Sequence, residues 1–475
     1  MEQLKRFIKE KLNIENLLCL LIILLPILDM ASFLFRNYFK TTYSPSTFLR
    51  PIISIIVTIT IFIKEKKTRK NLILAGFIYG IYSLVHLWIF NQLKTGISYG
   101  GITNELRYIV NYSFMVLNLF LFIHVFKNKA ENKLKVSVLI SISIYILSIW
   151  ISIITKTSSS TYIEGIGYKG WFETGNSVGA ILILSMFIIL NMIKKTKYRY
   201  WVISVVVLVG LYTTMMLGTR VGLLGFIISI SLYILTEIIL AILKHTKLNK
   251  KFIIGAIASG CVIVVGITLI GSNTIKRRQH IKDVEEEASN IHIASGILEI
   301  KEKIDNNTLE EGYMSEAQKQ SIIDLYNYAN AHQFANNDMR MQQLVYNAYL
   351  VKNQANIMAL LFGNGFQANY AELVLEMETP AFLFNFGILG FILYFVPVLA
   401  IFIYGIYIAI KNIKKIDAEY IMLIFGIFLS FAFSFLSGYT FFHASSMLII
   451  VTLSALLINK IYKLKIPNKE GINNN

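Results

Sequence analysis

Arg220 is the residue whose setting points most directly to chemistry. It follows a Gly-Thr pair inside LGTRVGLLGF (217–226), and this short break joins two long apolar runs. Its guanidinium therefore comes at the end of an apolar run, where it can meet the headgroup of a membrane-bound substrate. A guanidinium donates two parallel hydrogen bonds to a phosphate. The break thus predicts a phosphate-binding arginine, and the alternative is an interfacial anchor whose side chain reaches toward water.

Two glutamates at the start of a later apolar run offer a different chemistry. Glu376 and Glu378 follow the segment LLFGNGF, whose Gly363 and Gly365 would permit a tight turn. A carboxylate that is shielded from water holds a proton more readily and can act as a general base. The pair therefore predicts an acid–base group, and the alternative is that both acids mark the membrane boundary.

The region between these two motifs carries weaker signals. His280, His292 and His332 match no zinc-ligand spacing, and Arg340 by itself is typical of a salt-bridged surface residue. The sequence contains no Walker A motif and no Gly-x-Ser-x-Gly motif, so nucleotide-driven and serine-hydrolase chemistries have no support. We therefore predict neither a metal site nor a cofactor.

The composition indicates what kind of scaffold holds these residues. Of 475 residues, 55% are hydrophobic and only 15% are charged, whereas soluble domains carry roughly a quarter charged residues. A net charge of +17 would suggest a nucleic-acid partner for a soluble protein, but here the basic residues cluster between apolar runs. Cys19 and Cys261 both lie inside such runs, which excludes a disulfide framework. The chain is predicted to be an integral membrane protein with no nucleic-acid partner.

Twelve apolar runs are long enough to cross a hydrocarbon core of about 30 Å. Each is predicted to be a helix, because a segment in lipid must satisfy its own backbone hydrogen bonds. With both termini cytoplasmic, 28 of the 45 Lys and Arg residues fall on the cytoplasmic side, as the positive-inside rule requires. We therefore expect a multi-pass protein of the cell membrane. The predicted spans are 16–36, 47–63, 71–91, 106–126, 136–155, 171–193, 201–218, 221–243, 252–272, 379–410, 418–437 and 444–461.

One long connection defines the predicted domain organisation. Residues 1–272 hold the first nine spans, residues 273–378 form a large extracytoplasmic loop, and residues 379–475 hold the last three spans and a cytoplasmic tail. The loop carries 15 acidic and 9 basic residues. A loop of this length is expected to cover a functional site at the outer membrane face, and the alternative is a purely structural lid.

The apolar spacing inside the loop predicts two helices, over 315–333 and 336–362. Ser315 is the expected N-cap of the first helix, and Asn336 or Asn337 is the expected N-cap of the second. The predicted fold class is thus all-α, a polytopic helix bundle with one large helical outer loop.

The order of these motifs resembles the O-antigen ligase/polymerase family of polytopic membrane enzymes. The resemblance rests on WFETGNSVGAIL (171–182), LGTRVGLLGF, the long loop before the tenth span and LFGNGF…EMETPAFLFNFGILGFILYF. More loosely, LPILDMASF (25–33) followed by TFLRPI (47–52) is similar to the opening of Gram-positive members. The family implies a helical architecture of the C-type glycosyltransferase kind, without a metal requirement.

The resemblance also implies roles for particular arginines. In the family, the arginine after a Gly-Thr or Gly-Ser pair contacts the diphosphate of an undecaprenyl-linked donor, which implies this role for Arg220. A second arginine of the outer loop corresponds best to Arg340, ahead of Arg277 and Arg278. Arg50, in TFLRPI, is a third candidate for the diphosphate. Further candidates for substrate contact are Arg278, His332, Asn176 and Arg107.

The acid–base residue departs from the family pattern. Many ligases have a His-Asn pair about eleven residues before the glycine motif of the following span, but counting back from Gly387 reaches Glu376, with Glu378 nearby. The departure favours a carboxylate base, Glu378 or else Glu376, and a Gram-positive type of polysaccharide polymerase over a lipid A-core ligase.

The implied function is polymerisation or ligation of polyprenyl-diphosphate-linked oligosaccharide units outside the cell membrane. The acceptor hydroxyl attacks the anomeric carbon and the diphosphate departs. The expected partners are the lipid-linked glycan donor, a glycan or lipid-linked acceptor, membrane lipid and other polysaccharide-assembly proteins. The alternative is a flippase for lipid-linked oligosaccharides, which would need charged residues at mid-membrane and pseudo-symmetric halves. A third possibility is a scaffold for an assembly complex.

Overall fold

The computed structural model describes residues 13–41, 44–93, 101–127, 131–162, 165–194, 197–244, 246, 250–270, 273–277, 279–280, 291–366, 373–436 and 438–465. Within these residues the chain is almost entirely helical, which confirms the predicted all-α class. The exception is a short antiparallel hairpin of β1 (Ser159–Ser160) and β2 (Tyr168–Gly170), which the sequence did not predict.

Twelve segments of the described chain are long and apolar enough to cross a membrane, as predicted. Several are rich in β-branched residues and are nevertheless helical, because lipid offers no other partner for the backbone. The tenth is a compound segment of α14, a π-helical turn and α15. The segments are α1 (Ile14–Asn37), α2 (Pro45–Lys64), α3 (Lys66–Leu93), α4 (Gly101–Phe126), α5 (Glu131–Ile154), α6 (Gly175–Lys194), α7 (Arg199–Leu217), α8 (Arg220–Leu243), α9 (Lys250–Ile270), α14 (Glu378–Gly390) with Phe391–Phe395 and α15 (Val396–Lys411), α16 (Ala418–Leu436) and α17 (Ala444–Lys465).

Helices α6 and α17 form the centre of the bundle. Both are buried on almost every face, whereas α9 is exposed or partly exposed along nearly its whole length. A helix that is apolar all round needs neighbours on every side, and α6 has them in α5, α8, α16 and α17. The ends of α6 and α8 are therefore held firmly, and residues at those ends have defined positions.

The large loop folds around a small apolar core of its own. Its helices are α10 (Ser295–Asp305), α11 (Glu316–Ala331), α12 (Met339–Gln354) and α13 (Ile357–Phe362). The predicted helix over 336–362 is thus two helices, because Ala355 takes a left-handed φ of 46° between them. The core is formed by residues of α10, α11 and α12, among them Ile297, Ile322, Leu325, Tyr346 and Leu350.

The caps of the loop helices agree with the prediction in one case and not in the other. Ser315 caps α11 as predicted, and its reciprocal hydrogen bonds with Gln318 form a capping box. The N-cap predicted for α12 was wrong. Asp338 caps this helix in place of Asn336 or Asn337, because its carboxylate accepts from the backbone N–H three residues on, at 3.3 Å.

A buried histidine–glutamate pair ties the end of the loop to the bundle. His86 Nε2 lies 2.7 Å from Glu105 Oε1, and His86 Nδ1 lies 2.5 Å from Phe362 O. Nδ1 carries the proton of the second bond, since a carbonyl oxygen only accepts. Glu105 Oε2 in turn accepts from Phe366 N at 2.9 Å. One pair from α3 and α4 therefore holds both ends of the 363–365 turn.

The tenth span is interrupted at Gly387, whose φ of 69° is left-handed. The 363–365 turn fills the interruption by donating two backbone hydrogen bonds, each 2.9 Å long, to the carbonyls of Phe384 and Asn385. A Cβ at position 387 would lie only 2.5 Å from Gly363 N. Glycine is thus required twice at this position, by the backbone angle and by the close approach.

Gly387→Ala is expected to lower the free energy of unfolding by about 2 kcal/mol, because alanine is strained at a positive φ and its Cβ meets the turn. Gly80→Ala in the middle of α3 is the matched control. An added Cβ there has no atom within 4 Å, so this change should stabilise the helix by up to about 1 kcal/mol. Thermal unfolding in detergent micelles compares the two, and equal midpoints for Gly387→Ala and the wild type would contradict the packing at the interruption.

Candidate substrate-binding site

Arg220 begins α8 at a tightly built junction. Gly218 takes a left-handed φ of 75°, and Thr219 caps α8 with an Oγ1 that accepts from Gly222 N at 3.0 Å. The junction lies against the start of α6, where a Cβ on Gly179 would be 3.2 Å from Thr219 Oγ1. Small residues let the two helices approach this closely. The packing fixes Arg220 at one end of the bundle, where it is exposed.

The β1–β2 hairpin places Tyr162 beside this junction. Thr161 Oγ1 donates to Leu217 O at 2.7 Å, and a Cβ on Gly167 would be 2.6 Å from the same carbonyl oxygen. The hairpin is therefore clamped to the end of α7. Arg277 lies over the Tyr162 ring, with its guanidinium carbon 3.4 Å from the ring centroid, which is a cation–π contact.

Three arginines lie within electrostatic range of the Tyr162 phenol. The charges of Arg277, Arg220 and Arg340 all act on it. Burial raises the pKa of the Tyr162 phenol, and the three positive charges oppose this rise. In the described part of the chain, Arg277 Nε is buried and has no hydrogen-bond partner. Three guanidinium groups near one hydroxyl can bind an anion that carries several oxygens, since each offers a planar donor fork. Arg220, Arg277 and Arg340 together form the arginine cluster.

Arg340 connects the large loop to the membrane bundle. Its Nε lies 3.3 Å from Glu376 Oε2, and its Nη1 donates to Leu436 O at the end of α16. Gln343, one turn further along α12, accepts from Glu376 N at 3.1 Å. The structure therefore brings Glu376 and Arg340 together at the arginine cluster. Both side chains are partly exposed, at 41% and 37%, so a substrate can reach them.

Glu378 lies only two residues further on, in a different environment. Its side chain is fully buried. Oε1 accepts from the backbone N–H groups of Thr440 and Phe442, each at 2.7 Å, and Oε2 accepts from Phe441 N at 2.8 Å. Glu378 thus anchors the connection between α16 and α17, and both of its oxygens are occupied by backbone donors.

The structure places Arg50 in a second, buried group of charges. Asp29 accepts from Arg50 Nη2 and from the Tyr145 hydroxyl, and Arg50 Nη2 also donates to Ser445 Oγ at 2.9 Å. Helices α1, α2, α5 and α17 meet at this group. Breaking a buried ion pair leaves one charge unpaired at a high cost. The contacts within this group, of which Arg50 is a member, therefore hold four helices together.

Glu173 and His443 lie near this second group of charges. Glu173 Oε2 binds Arg36 Nη1 at 3.0 Å. Within the described residues, the other oxygen of Glu173 and Nδ1 of His443 are buried and have no partner. Burial raises the pKa of Glu173, against the charges of Arg36 and Arg107, and burial lowers the pKa of His443, against the charge of Asp29. Both pKa values are thus shifted in the direction that favours the neutral form.

The remaining predicted candidates have local surroundings. His332 is the C-cap of α11, where its ring stacks on Tyr328 at 3.9 Å and its Nδ1 lies 2.9 Å from Tyr328 O. Asn176 lies in the first turn of α6, and Arg107 lies in α4, where its charge acts on the glutamate that precedes α6. Arg278 falls outside the described residues. Among those described, no three His, Cys, Asp or Glu side chains are grouped to hold a metal ion.

Sequence reasoning missed one member of the candidate site and ranked another too low. Tyr162 was not singled out, and Arg277 was ranked below Arg340. One signal was present, because TYIEGIGYKGW (161–171) carries three glycines at turn spacing, and all three take positive φ values in the hairpin. A tyrosine in a turn that directly precedes a motif-bearing span could have been a candidate. No spacing rule links it to Arg277, which lies more than a hundred residues away in the chain.

Acidification is expected to destabilise the fold through His443. The pKa of folded His443 lies below its ordinary value of 6.5, so the unfolded chain binds more protons between those two values. Stability therefore falls as the pH falls through this window, by at most about 1.4 kcal/mol per pH unit. Thermal unfolding from about pH 7.5 to about pH 5.5 measures the slope. His443→Gln should reduce the slope of stability against pH, whereas the exposed control His332→Gln should leave it unchanged. Equal slopes for the wild type and His443→Gln would show that His443 is not the group responsible.

A protein-family model matches most of the chain. The model of a family described as O-antigen ligase like membrane protein matches residues 11–463. This range contains the arginine cluster, Tyr162 and both glutamates, and it runs from the start of α1 into the last turns of α17. No curated protein matches the chain.

Proposed function

Because the chain belongs to the family of O-antigen ligase like membrane proteins, we propose that it polymerises or ligates glycans that are carried on a polyprenyl diphosphate. Membership supports a role in glycan ligation or polymerisation in general. The observation that carries the finer proposal is the arginine cluster around Tyr162, at the end of a bundle of membrane helices. The proposed product is a cell-surface polysaccharide.

The arginine cluster has the charge and the position that the donor requires. A diphosphate bears about two negative charges beside its lipid chain, and three guanidinium groups can neutralise them with paired hydrogen bonds. Arg220 starts a membrane helix, so an anion bound there lies at the membrane surface while its prenyl chain remains in lipid. Arg340 comes from the large loop, which also brings Glu376. The donor would therefore be held between bundle and loop.

The proposed reaction is a direct displacement. The acceptor hydroxyl oxygen forms a bond to the anomeric carbon, the bond from that carbon to the diphosphate oxygen breaks, and this oxygen keeps the electron pair. The hydroxyl proton passes to a carboxylate, for which Glu376 is the first candidate because it is partly exposed beside Arg340. Glu378 is the second candidate, and its three backbone hydrogen bonds favour a positioning role. Proton transfer of this kind contributes roughly 10²–10⁴ in rate.

The charges on the leaving diphosphate are the main target of the arginines. Charge develops on the departing oxygen in the transition state, and preformed donors stabilise it without reorganisation. A diphosphate is already a good leaving group, so the proposal includes neither a nucleotide nor a cofactor. We place this site on the extracytoplasmic face, with both termini in the cytoplasm, from the distribution of Lys and Arg between the spans.

An in vitro transfer assay tests the proposal. It uses the purified protein and a polyprenyl-diphosphate-linked oligosaccharide, without nucleotide or divalent metal. A ladder of products that disappears with Arg220→Ala would support a polymerase, and a single transfer to a separate acceptor would support a ligase. If no cognate donor gives transfer, the proposal fails. In that case, protein-dependent movement of the donor across proteoliposomes would indicate a flippase, and the absence of any movement would favour a scaffold.

A further inference from the structure

A cavity of about 290 Å³ lies at the membrane face opposite the arginine cluster. It is lined by residues from the end of α6, the start of α7, the end of α8 and the start of α9. Helix α8 begins at Arg220 and reaches the cavity at Glu237, which at 1.5 Å per residue is about 26 Å along the helix axis. This cavity is therefore separate from the proposed transfer site.

The wall of the cavity carries both basic and apolar side chains. Lys194 and Glu237 both line the cavity and form an ion pair with each other, and both side chains are largely buried. Those two charges cancel, which leaves Arg199 and Lys244 as a net charge of two on the wall. The apolar part of the lining is formed by Ile203, Tyr233, Leu240 and Phe252.

The guanidinium of Arg199 is held in place before any ligand arrives. It lies over the ring of Tyr200, with 4.8 Å between the guanidinium carbon and the ring centroid, and its Nη2 donates to the Tyr200 hydroxyl at 2.9 Å. A stacked guanidinium loses little freedom when it binds an anion, because its fork is already oriented. Its charge also acts on Tyr233 of α8.

The helices on either side of the cavity present apolar surface to the surroundings. Trp201 of α7 is 79% exposed, and Ile254 and Ile257 of α9 are 66% and 62% exposed. In a membrane these residues contact lipid. A ligand that suits the cavity thus has an anionic head for Arg199 and Lys244 and an apolar body that can extend along α7 and α9. Basic pockets between membrane helices have this preference.

We propose that the cavity binds the headgroup phosphate of an anionic membrane phospholipid, with the phosphate between Arg199 and Lys244 and the acyl chains along α7 and α9. The site makes use of the basic residues that cluster at this end of the helices. Binding of a phospholipid at this site does not involve the transfer reaction, so this proposal can be tested independently of the proposed function.

Lipid titration followed by native mass spectrometry tests the site, with the full-length protein, phosphatidylglycerol as the probe and phosphatidylcholine as the neutral reference. Each basic group near an anionic lipid contributes about fivefold. The double variant Arg199→Gln with Lys244→Gln should therefore bind phosphatidylglycerol about 25-fold more weakly. The matched control is Lys414→Gln with Lys415→Gln, which removes two exposed charges elsewhere in the chain and should bind as the wild type does.

Glu237→Gln provides a test in which lipid binding is expected to become stronger rather than weaker. It removes the negative charge that neutralises Lys194, so it should strengthen phosphatidylglycerol binding about fivefold. A misfolded variant could not produce that gain. Equal weakening by both double variants, or no gain with Glu237→Gln, would overturn the proposal. The proposal would also be overturned if inorganic phosphate displaced phosphatidylglycerol and stabilised the lipid-free protein in a way that depends on Arg199. That result would indicate a soluble phosphate as the ligand.

Discussion

Replacing Arg220 by lysine or by glutamine is expected to lower the rate of glycan transfer about 100- to 1,000-fold. Lysine keeps the positive charge, but its single ammonium group cannot present the planar fork that binds two phosphate oxygens together. The capped start of α8 and the close contact with α6 fix the Arg220 backbone, so a lysine cannot move to compensate. Lysine should therefore be nearly as damaging as glutamine.

The measurement is the initial rate of product formation at saturating and at limiting donor, so that kcat and KM are separated. If Arg220 stabilises the departing diphosphate, the loss falls mainly on kcat. Arg69→Lys is the matched control, because Arg69 is another arginine near the end of a membrane helix, and its side chain contacts the ring and the carbonyl of Phe62 rather than the arginine cluster. Transfer by Arg220→Lys at the wild-type rate would remove Arg220 from the proposed mechanism.

The spans could be predicted from the sequence because their signal is local. Hydrophobic length alone determines whether a segment crosses lipid, so β-branched runs such as SIIVTITIFI in α2 cause no ambiguity. The interruption at Gly387 could not be predicted in the same way. It depends on the 363–365 turn, which lies about twenty residues earlier and fills the gap with two backbone hydrogen bonds.

The site shows the same division between local and distant determinants. Arg220 has a local signal, since a glycine and a capping threonine before a basic residue mark the start of a helix at a membrane surface. The group of Arg220 with Tyr162, Arg277 and Arg340 has none, because four separate segments contribute to it. Folding alone brings these residues together, and a single sequence contains no record of which segments meet.

Glu376 and Glu378 illustrate the limit most clearly. They are chemically identical and two residues apart, and the sequence gives both the same hypothetical role as general base. The structure separates them through contacts from far along the chain. Arg340, 36 residues earlier, pairs with Glu376, and backbone groups more than 60 residues later surround Glu378. Only substitutions that change one of them at a time can assign their roles.

Glu378→Ala is expected to lower the free energy of unfolding by about 3–6 kcal/mol. Three backbone N–H groups would remain buried without an acceptor, and each costs about 1–3 kcal/mol, while removal of a buried charge recovers part of the loss. Glu378→Gln should be intermediate. Its amide oxygen can keep the two bonds to Thr440 and Phe442, but its NH₂ group would face the N–H of Phe441, donor against donor.

Glu376→Gln is the matched control, and it separates structure from chemistry. The pair that Glu376 forms with Arg340 is partly exposed, so its loss should cost less than about 1 kcal/mol, while transfer should fall about 100-fold or more. Thermal unfolding in micelles and the transfer assay on the folded fraction measure the two effects separately. If Glu378 only positions the backbone, its replacement must lower the stability of the protein. A Glu378→Gln protein that unfolds at the wild-type midpoint but transfers no glycan would therefore make Glu378, and not Glu376, the general base.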